Sequence, residues 1–411
     1  MTGVQASPAE TAAPEPVAPY PLLDEGNVVA YLERRGLLDL VEGSGEPRAR
    51  EVSDGNLNSV FLVRREPDRP GLAVKQALPW VRVAGASWPL TPHRADAEAR
   101  AYEYLSALVP DLIPAYHGYD QPTFTLVMED LGGLEVLRAA TVAGRRPGDV
   151  GARIGKFVAA LAFATSDFGM PSGERKALIA ASVNPELCLL TEDVLLTEPF
   201  VEHEHNHHVP AVDPLVRALR ADDRVHTAVS ALKHAFMTRG EALLHGDLHS
   251  GSVMVGGGRV AVIDPEFAFV GPVGFDLGLF WANALIAALR AEELHDEELA
   301  AEHADQVATS WGAFVDAVRA AWPRRVDPSF DDGYRELWLQ SVWSDGLGYA
   351  AIEAVRRAAG YSHAADIETL PPPSRDRATA RILALSHALL AERAAVPDPA
   401  ALSGLLAATA R

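Results

Sequence analysis

The chain has 411 residues, of which 48% are hydrophobic and 22% charged, and its formal net charge is −20. At roughly 100–200 residues per domain, this length predicts two or three domains or one large two-lobed unit. The acidic excess argues against a protein that grips nucleic acid through its phosphates, although a locally positive pocket can still bind a small anion. A single cysteine, Cys188, excludes an intrachain disulfide framework and a site built from several thiolates.

We expect no secretory signal, because the first residues given contain neither a basic region nor an apolar core of sufficient length. Its longest largely apolar run, residues 277–289, is shorter than the about 20 residues needed to cross a bilayer. We therefore expect a cytoplasmic protein with no membrane partner.

The first 131 residues contain a leader and then a pattern of strands around one helix. Residues 1–20 are rich in Ala, Pro and Glu without periodicity, which predicts a disordered leader. A short helix is expected at 27–35 and a longer one at 94–109. Strands are expected at 49–52, 60–64, 72–77, 115–119 and 124–128. Residues 21–131 are thus predicted to form a small lobe with an antiparallel sheet and one inserted helix.

From residue 132 onward, helical periodicity prevails. Helices are expected at 150–165, 213–239, 275–290, 292–322, 330–358 and 375–395. Two short strands, 252–255 and 260–263, are joined by three consecutive glycines. The fold class is therefore α+β, with residues 132–411 forming a large, mostly helical lobe.

The motif that carries the most chemistry is His245-Gly246-Asp247, followed after a short hairpin by Asp264-Pro265-Glu266. Phosphoryl transfer needs one carboxylate that orients the attacking hydroxyl and accepts its proton, the role predicted for Asp247. It also needs oxygen ligands for magnesium, and Asp264 and Glu266 are of the right type. Alone, each residue could simply cap a turn, but the whole set with its hairpin favours catalysis.

A second group of candidates lies upstream. Asn56 and Asn58 belong to a loop between two strands that can offer backbone N–H groups to phosphates, although a plain hairpin turn is the simpler interpretation. Lys75 interrupts an apolar strand, and Glu98 on the next helix is its natural partner. Such a pair would place the ammonium at the nucleotide phosphates, whereas a solvent-facing lysine is the alternative.

Three further segments are candidates. Met128, Glu129 and Asp130 join the two predicted lobes, where an extended backbone can bind an adenine edge or serve as a plain linker. Arg356 and Arg357 lie side by side on a late helix and suit recognition of anions or hydroxyls, or form an exposed ion-paired face.

The third segment, residues 202–208, contains four histidines and two glutamates. It could bind a transition metal, but the pattern gives no defined ligand geometry, so we expect an exposed loop with incidental metal affinity.

Together these motifs resemble the 5-methylthioribose kinases, within the protein-kinase-like fold of aminoglycoside phosphotransferases and choline kinases. The similarity runs from about residue 22 to about 395. It rests on Asp54-Gly55-Asn56-Leu57-Asn58, Val74-Lys75-Gln76, Ser87-Trp88-Pro89, Met128-Glu129-Asp130, His245-Gly246-Asp247, Asp264-Pro265-Glu266 and Arg356-Arg357. The Asp-Pro-Glu stretch and the arginine pair are the most specific of these.

The resemblance implies an ATP- and Mg²⁺-dependent kinase that phosphorylates the anomeric 1-hydroxyl of 5-methylthioribose in methionine salvage. It implies Asp247 as base, Asp264 and Glu266 as magnesium ligands, and Arg356, Arg357 and Trp88 at the sugar. It implies that ATP contacts Asn56, Asn58, Lys75, Glu98, Met128, Glu129 and Asp130, and that the protein is a homodimer. Ser250 departs from the threonine expected in the family.

Two other functions remain open on sequence alone. One is a kinase of the same fold that acts on another ribose-like sugar, a nucleoside or an antibiotic. The other is a catalytically dead binding module, against which the joint presence of Lys75, Asp247, Asp264 and Glu266 argues.

Overall fold

A computed structural model of the chain describes residues 19–52, 57–82 and 85–409. The chain folds into two compact units. The first comprises the described residues up to His93 together with Tyr119–Val127, and the second comprises Arg94–Gly118 together with the chain from Met128 onward. Most of the predicted leader lies outside the described residues. Tyr20 at its end is buried, and its hydroxyl donates to the Ala77 carbonyl at 2.7 Å.

The first unit is built on an antiparallel sheet that packs against one short helix, α1 (Val28–Arg34). The five strands are β1 (Arg48–Glu51), β2 (Asn58–Arg64), β3 (Leu72–Ala77), β4 (Tyr116–Asp120) and β5 (Thr125–Glu129), in the order β1-β2-β3-β5-β4. The boundary between the units passes through β4 and β5. The predicted antiparallel sheet is confirmed, with strand bounds within two residues of those expected.

The second unit is mostly helical, as predicted. Its helices are α2 (Arg94–Leu108), α3 (Leu137–Val142), α4 (Val150–Ala164), α5 (Ser172–Ala181), α6 (Pro185–Val194), α7 (Asp213–Ala221), α8 (Asp223–Thr238), α9 (Gly274–Glu293), α10 (Glu297–Ala321), α11 (Asp332–Ala359), α12 (Ala365–Glu368), α13 (Pro372–Glu392) and α14 (Pro399–Thr409). The single helix predicted at 213–239 is two helices, because Asp222 caps α8 by accepting the Arg224 N–H.

Short strands complete the second unit. They are β6 (Glu135–Val136), β7 (Ala242–Leu244), β8 (Val253–Gly256), β9 (Arg259–Val262) and β10 (Phe269–Gly271). The predicted hairpin β8–β9 is extended by β6, and β7 pairs with β10 in a separate ladder. Strands of two or three residues carry too little periodicity to be predicted, so β6, β7 and β10 were missed.

The core of the second unit forms around α9, which is buried along 18 consecutive residues from Gly274 to Ala291. Helices α4, α10, α11 and α13 surround it. At Gly278 an added Cβ would lie 2.7 Å from the Gly346 carbonyl oxygen, so glycine is needed where α9 and α11 approach closely. The apolar run at 277–289 is therefore core, and within the described ranges we find no helix long and apolar enough to span a bilayer.

Candidate active site

The loop that carries Asp247 follows β7 and is clamped by a carboxylate from α9. Asp276 accepts the His245 N–H at 2.8 Å and the Gly246 N–H at 3.0 Å. Gly246 has φ +82°, and an added Cβ there would lie 2.2 Å from the Phe267 carbonyl oxygen. Only glycine accommodates both the backbone conformation and the close approach, so the start of the loop has one conformation.

His245 ties this loop to the segment that leads into Asp264. Its Nδ1 accepts the Asp247 N–H at 3.2 Å, and its Nε2 donates to the Ile263 carbonyl at 2.8 Å. Burial lowers the pKa of His245 to about 4, so the ring is neutral at physiological pH, as this pattern of one acceptor and one donor requires. The two acidic motifs are therefore held in one hydrogen-bonded framework.

The Asp247 carboxylate is oriented by a histidine whose own orientation is fixed from behind. His249 Nδ1 accepts from the Gly251 N–H at 2.8 Å and from the Arg138 guanidinium at 3.2 Å. With Nδ1 accepting twice, the proton resides on Nε2, which lies 3.3 Å from Asp247 Oδ2. Arg138, His249 and Asp247 thus form a chain of contacts that ends at the candidate base.

Asp247 is ionised although burial disfavours the charged form of its carboxyl. Burial by itself raises the pKa of this carboxyl, but the contact with His249 and the positive charges of Arg356 and Arg357 outweigh it and lower the pKa well below its ordinary range. The side chain remains 30% exposed, so a substrate hydroxyl can reach it. Asp247 is therefore an ionised, accessible carboxylate at neutral pH.

The arginine pair is held by one completely buried carboxylate, Glu353, on the same helix. Glu353 receives Arg356 at 2.7 and 2.8 Å and Arg357 at 2.7 Å. The Arg357 guanidinium also donates to the Ser362 carbonyl at 3.1 Å. The alternative of an exposed ion-paired face is wrong, because both arginines are largely buried, and their charges lower the pKa of Asp247.

Electrostatics around Asp247 are locally positive despite the net charge of −20. Burial and the neighbouring Arg356 lower the pKa of Arg357 to about 10, which leaves it charged at neutral pH. Burial raises the pKa of Glu353, but the two arginines more than compensate, and the pKa of this carboxyl is lowered. Arg138 adds a third guanidinium near His249, so the region suits an anionic ligand.

Asp264 immediately precedes a short 3₁₀ turn, Pro265–Phe267, which contains Glu266 and packs on α2. Asp264 has φ +62°, an uncommon conformation for a residue other than glycine, and its N–H donates to the Tyr102 hydroxyl at 3.3 Å. The Glu266 carboxylate pairs with the buried Arg94 at 3.3 Å, and Asn184 donates to the Glu266 carbonyl at 2.8 Å. A carboxylate has two oxygens with about four lone-pair sites, so the arginine contact and a metal ligand role are compatible. The pair of hard oxygen donors fits a Mg²⁺ site.

The three residues at the predicted hinge have different local roles. The Glu129 carboxylate forms a bidentate pair with Arg259, at 2.5 and 2.8 Å, and accepts the Ala115 N–H at 3.0 Å. Asp130 accepts the Gly132 N–H at 2.7 Å within a turn, and Met128 is buried. The side chains thus fix the segment, which agrees with the expectation that an adenine contact here depends on the backbone.

The remaining candidates divide between the two units. Lys75 on β3 is 4% exposed and belongs to the first unit, as do the buried Asn58 on β2 and the exposed Trp88. Glu98 is buried on α2, in the second unit. Asn56 lies outside the described residues. The solvent-facing alternative for Lys75 is wrong, and the predicted pairing of Lys75 with Glu98 stays a prediction.

Comparisons with known proteins decide the family. Residues 48–314 match the phosphotransferase enzyme family. The chain is 40% identical over 373 residues to the methylthioribose kinase of Geobacillus kaustophilus (strain HTA426), covering 90% of this chain and 91% of that one. It is 38% identical over 368 residues to the methylthioribose kinase of Pectobacterium carotovorum subsp. carotovorum (strain PC1), covering 87% and 91%.

This chain belongs to the methylthioribose kinase family. The family resemblance drawn from the motifs is thereby confirmed, as is the kinase-like α+β fold. Among solved structures, the choline kinase of Cryptosporidium parvum Iowa II has a TM-score of 0.47 at 12% identity, covering 92% of this chain and 100% of that one.

Several residues that shape the site of this family member were not predicted from sequence. They are Arg94, Arg138, His249, Glu353 and Asp276. His249 lies two residues after the His245-Gly246-Asp247 motif, and Asp276 lies ten residues after Glu266. Glu353 precedes the arginine pair by one helical turn, so an i, i+3 and i, i+4 search would have found it. Arg94 and Arg138 are brought in by distant helices and had no local signal.

Proposed function

We propose that this protein transfers the γ-phosphoryl group of ATP to the anomeric 1-hydroxyl of 5-methylthioribose, forming 5-methylthioribose 1-phosphate and ADP. The observation that carries the proposal is the Asp247 carboxylate, which is kept ionised by His249 and two arginines in a chain 40% identical to a methylthioribose kinase. Its product would serve methionine salvage, the role that the family resemblance implies.

The proposed step uses Asp247 as the group that orients and deprotonates the acceptor. The sugar 1-hydroxyl donates its hydrogen bond to Asp247, its oxygen forms the new bond to the γ-phosphorus, and the bond from that phosphorus to the ADP oxygen breaks. The hydroxyl proton passes to the carboxylate and then to solvent. A low pKa suits a loose phosphoryl-transfer transition state, in which positioning matters more than strong basicity.

The arginine pair is assigned to the anionic part of the reaction. Arg356 and Arg357 lie close enough to Asp247 to lower its pKa, so a phosphoryl group at Asp247 would also lie near them. Guanidinium groups bind phosphoryl oxygens in bidentate fashion and stabilise charge during transfer. Glu353 holds both in place before the ligand arrives, which reduces the cost of ordering them.

Asp264 and Glu266 are proposed to hold Mg²⁺, which when bound neutralises nucleotide phosphate charge. The other nucleotide and sugar roles rest on the family resemblance. That resemblance assigns Lys75, Glu98, Asn56 and Asn58 to the phosphates of ATP. It assigns Met128, Glu129 and Asp130 to the adenine, and Trp88 to the sugar. The burial of Lys75 in a strand supports its share of this assignment.

A coupled assay of ADP release tests the proposal. With ATP and Mg²⁺, purified protein is expected to turn over 5-methylthioribose much faster than ribose or 5-deoxyribose, and omission of Mg²⁺ is expected to abolish the signal. Phosphorus NMR of the product should show the 1-phosphate. Turnover of ribose as fast as methylthioribose would contradict the substrate, and nucleotide binding without turnover on any of the sugars would contradict the kinase activity.

We further propose that the protein is cytoplasmic and forms a homodimer. The cytoplasmic assignment is supported by the single cysteine, and the homodimer by the resemblance alone. Light scattering after size exclusion is expected to give twice the 44.0 kDa chain mass. A species at the chain mass over a range of concentrations would contradict the dimer.

A further inference from the structure

The histidine-rich segment predicted as an exposed loop converges on a glutamate that precedes it. Glu198 lies in a 3₁₀ turn, Glu198–Phe200, and is only 8% exposed. Its Oε2 lies 2.9 Å from His205 Nδ1 and 3.6 Å from His203 Nδ1. The three ligand atoms all lie within 4.8 Å of one another. Glu198, His203 and His205, called the histidine site below, therefore share one small volume.

These spacings match a metal coordination sphere. A tetrahedral ion bound at 2.0–2.2 Å has ligand atoms roughly 3.3–3.5 Å apart, and the two distances to Glu198 Oε2 fall on either side of that value. Small rotations of the two half-exposed imidazoles would equalise them. A nearly buried carboxylate also needs positive charge or donors to offset its desolvation, which a divalent cation supplies more fully than one imidazole N–H.

Two contacts within the histidine site would change when a metal ion binds. His205 Nδ1 faces Glu198, and the His205 N–H donates to His203 Nδ1 at a long 3.3 Å. Metal binding requires His205 to carry its proton on Nε2 and His203 to give up that long hydrogen bond. The first change places the imidazole proton on Nε2 instead of Nδ1 and needs no added reactant.

The surrounding loop is held firmly enough to present these ligands. Asn206 Nδ2 donates to the Glu198 carbonyl at 2.6 Å and to the Val201 carbonyl at 2.9 Å, which closes the loop on itself. The His205 ring lies 5.1 Å from the ring of Tyr361, in the turn after α11. A site whose ligands are already positioned loses less entropy on binding than a mobile histidine tract.

We propose that Glu198, His203 and His205 form a binding site for a borderline divalent transition metal ion such as Zn²⁺, with solvent in the remaining position. Two imidazole nitrogens with one carboxylate suit zinc and its neighbours better than Mg²⁺, which prefers oxygen ligands alone. The site is separate from the Asp264 and Glu266 carboxylates assigned to the nucleotide, and it does not depend on the proposed function.

The same loop supplies its own controls. His207 stacks on His363 at 3.8 Å between ring centroids, and His208 Nε2 lies 2.6 Å from Asp213 Oδ1. Both histidines lie within five residues of the proposed histidine ligands, but each contacts a different side chain. A tract that bound metal merely through its histidine content would use them equally.

Calorimetric titration with ZnCl₂ tests the site on full-length, tag-free protein treated with EDTA and dialysed into buffer with millimolar Mg²⁺. We expect one equivalent of Zn²⁺ to bind, with His203→Ala, His205→Ala and Glu198→Gln each weakening affinity at least about tenfold. The double variant His207→Ala/His208→Ala is expected to stay within about twofold of wild type. Circular dichroism in EDTA verifies that each variant is folded.

Two results would overturn the proposal. One is no stoichiometric binding by wild-type protein below about 100 μM Zn²⁺, since such weak affinity is what scattered surface histidines provide. The other is a loss in the His207/His208 double variant that equals the loss in the ligand variants. Because the titration needs no turnover, its outcome is independent of whether methylthioribose is the kinase substrate.

Discussion

The contact of His249 with Asp247 and the contacts of His203 and His205 with Glu198 both bring histidine to a carboxylate, but the rings have different second partners. Beside Asp247, the Nδ1 atom of His249 accepts from a backbone N–H and from Arg138, so the ring has one tautomer and one orientation. At Glu198, two Nδ1 atoms face the same carboxylate oxygen, and one of them receives only a long hydrogen bond. The first cluster positions a carboxylate, and the second converges on a space that a cation fits.

The difference shows that the hydrogen bonds at one ring nitrogen of a histidine decide whether the ring serves as a fixed N–H donor or can bind a metal ion. Where protein donors engage Nδ1, the ring acts as a fixed N–H donor and has no lone pair left for a metal. Where two Nδ1 atoms face one carboxylate oxygen, their lone pairs can converge on a metal ion once neither Nδ1 carries a proton. Variants at Asp247, Glu353, His249 and the histidine site test how each cluster works.

Asp247→Asn removes the carboxylate on which the first cluster is centred. Turnover of methylthioribose is expected to fall about a thousandfold, because an amide neither accepts the hydroxyl proton nor carries the charge that the arginines balance. The coupled ADP assay measures it. Asp316→Asn, on the exposed face of α10, is the matched control and should retain wild-type turnover. Normal activity in Asp247→Asn would refute the proposed mechanism.

Glu353→Gln removes the charge that supports the arginines beside Asp247. With two guanidiniums left near each other without their buried counter-ion, the free energy of unfolding is expected to fall by about 3–5 kcal/mol. Urea denaturation measures the change. Glu368→Gln, whose side chain is 42% exposed, should change stability by less than about 1 kcal/mol. Equal effects in the two variants would show that the buried carboxylate is not what holds the pair.

His249→Ala removes the N–H donor to Asp247 without touching substrate. We expect kcat to fall about tenfold through lost orientation. His249 lowers the pKa of Asp247, so its removal raises that pKa, and the acid limb of the kcat–pH profile should move to higher pH. His249→Gln, which keeps a side-chain N–H, should restore much of the activity. An unchanged acid limb in His249→Ala would show that His249 only packs beside Asp247 and does not lower its pKa.

His203→Ala and His205→Ala are expected to have the smallest effect on catalysis. In protein freed of transition metals, kcat/KM for methylthioribose should stay within about twofold of wild type, because the histidine site contacts neither Asp247 nor the arginine pair directly. The same ADP assay in EDTA-treated, Mg²⁺-supplemented buffer measures it. A tenfold loss would show that the contact of His205 with Tyr361 supports the arginines through the turn after α11.

Sequence predicted the parts of this molecule that are local or periodic. The strands β1 to β5, the long helices α9 to α11 and the acidic motifs at Asp247 and Asp264 follow from spacing within short windows. The hydrogen bonds that hold those motifs in place could not be predicted, because their partners are distant in sequence. Arg138 is 111 residues from His249, and Asn184 is 82 residues from Glu266, whose carbonyl it contacts. Likewise, the metal-like geometry at His203 required Glu198, which lies outside the histidine tract.

The clamp that Asp276 places on the catalytic loop has a consequence for the order of folding. The loop obtains its conformation from a carboxylate about 30 residues later, at the start of the buried helix α9. Contacts of that sequence separation form after local hairpins and helices, because packing must first compensate the entropic cost of closing the intervening loop. During refolding, helical signal should therefore return before activity, and recovery of turnover would report the docking of α9.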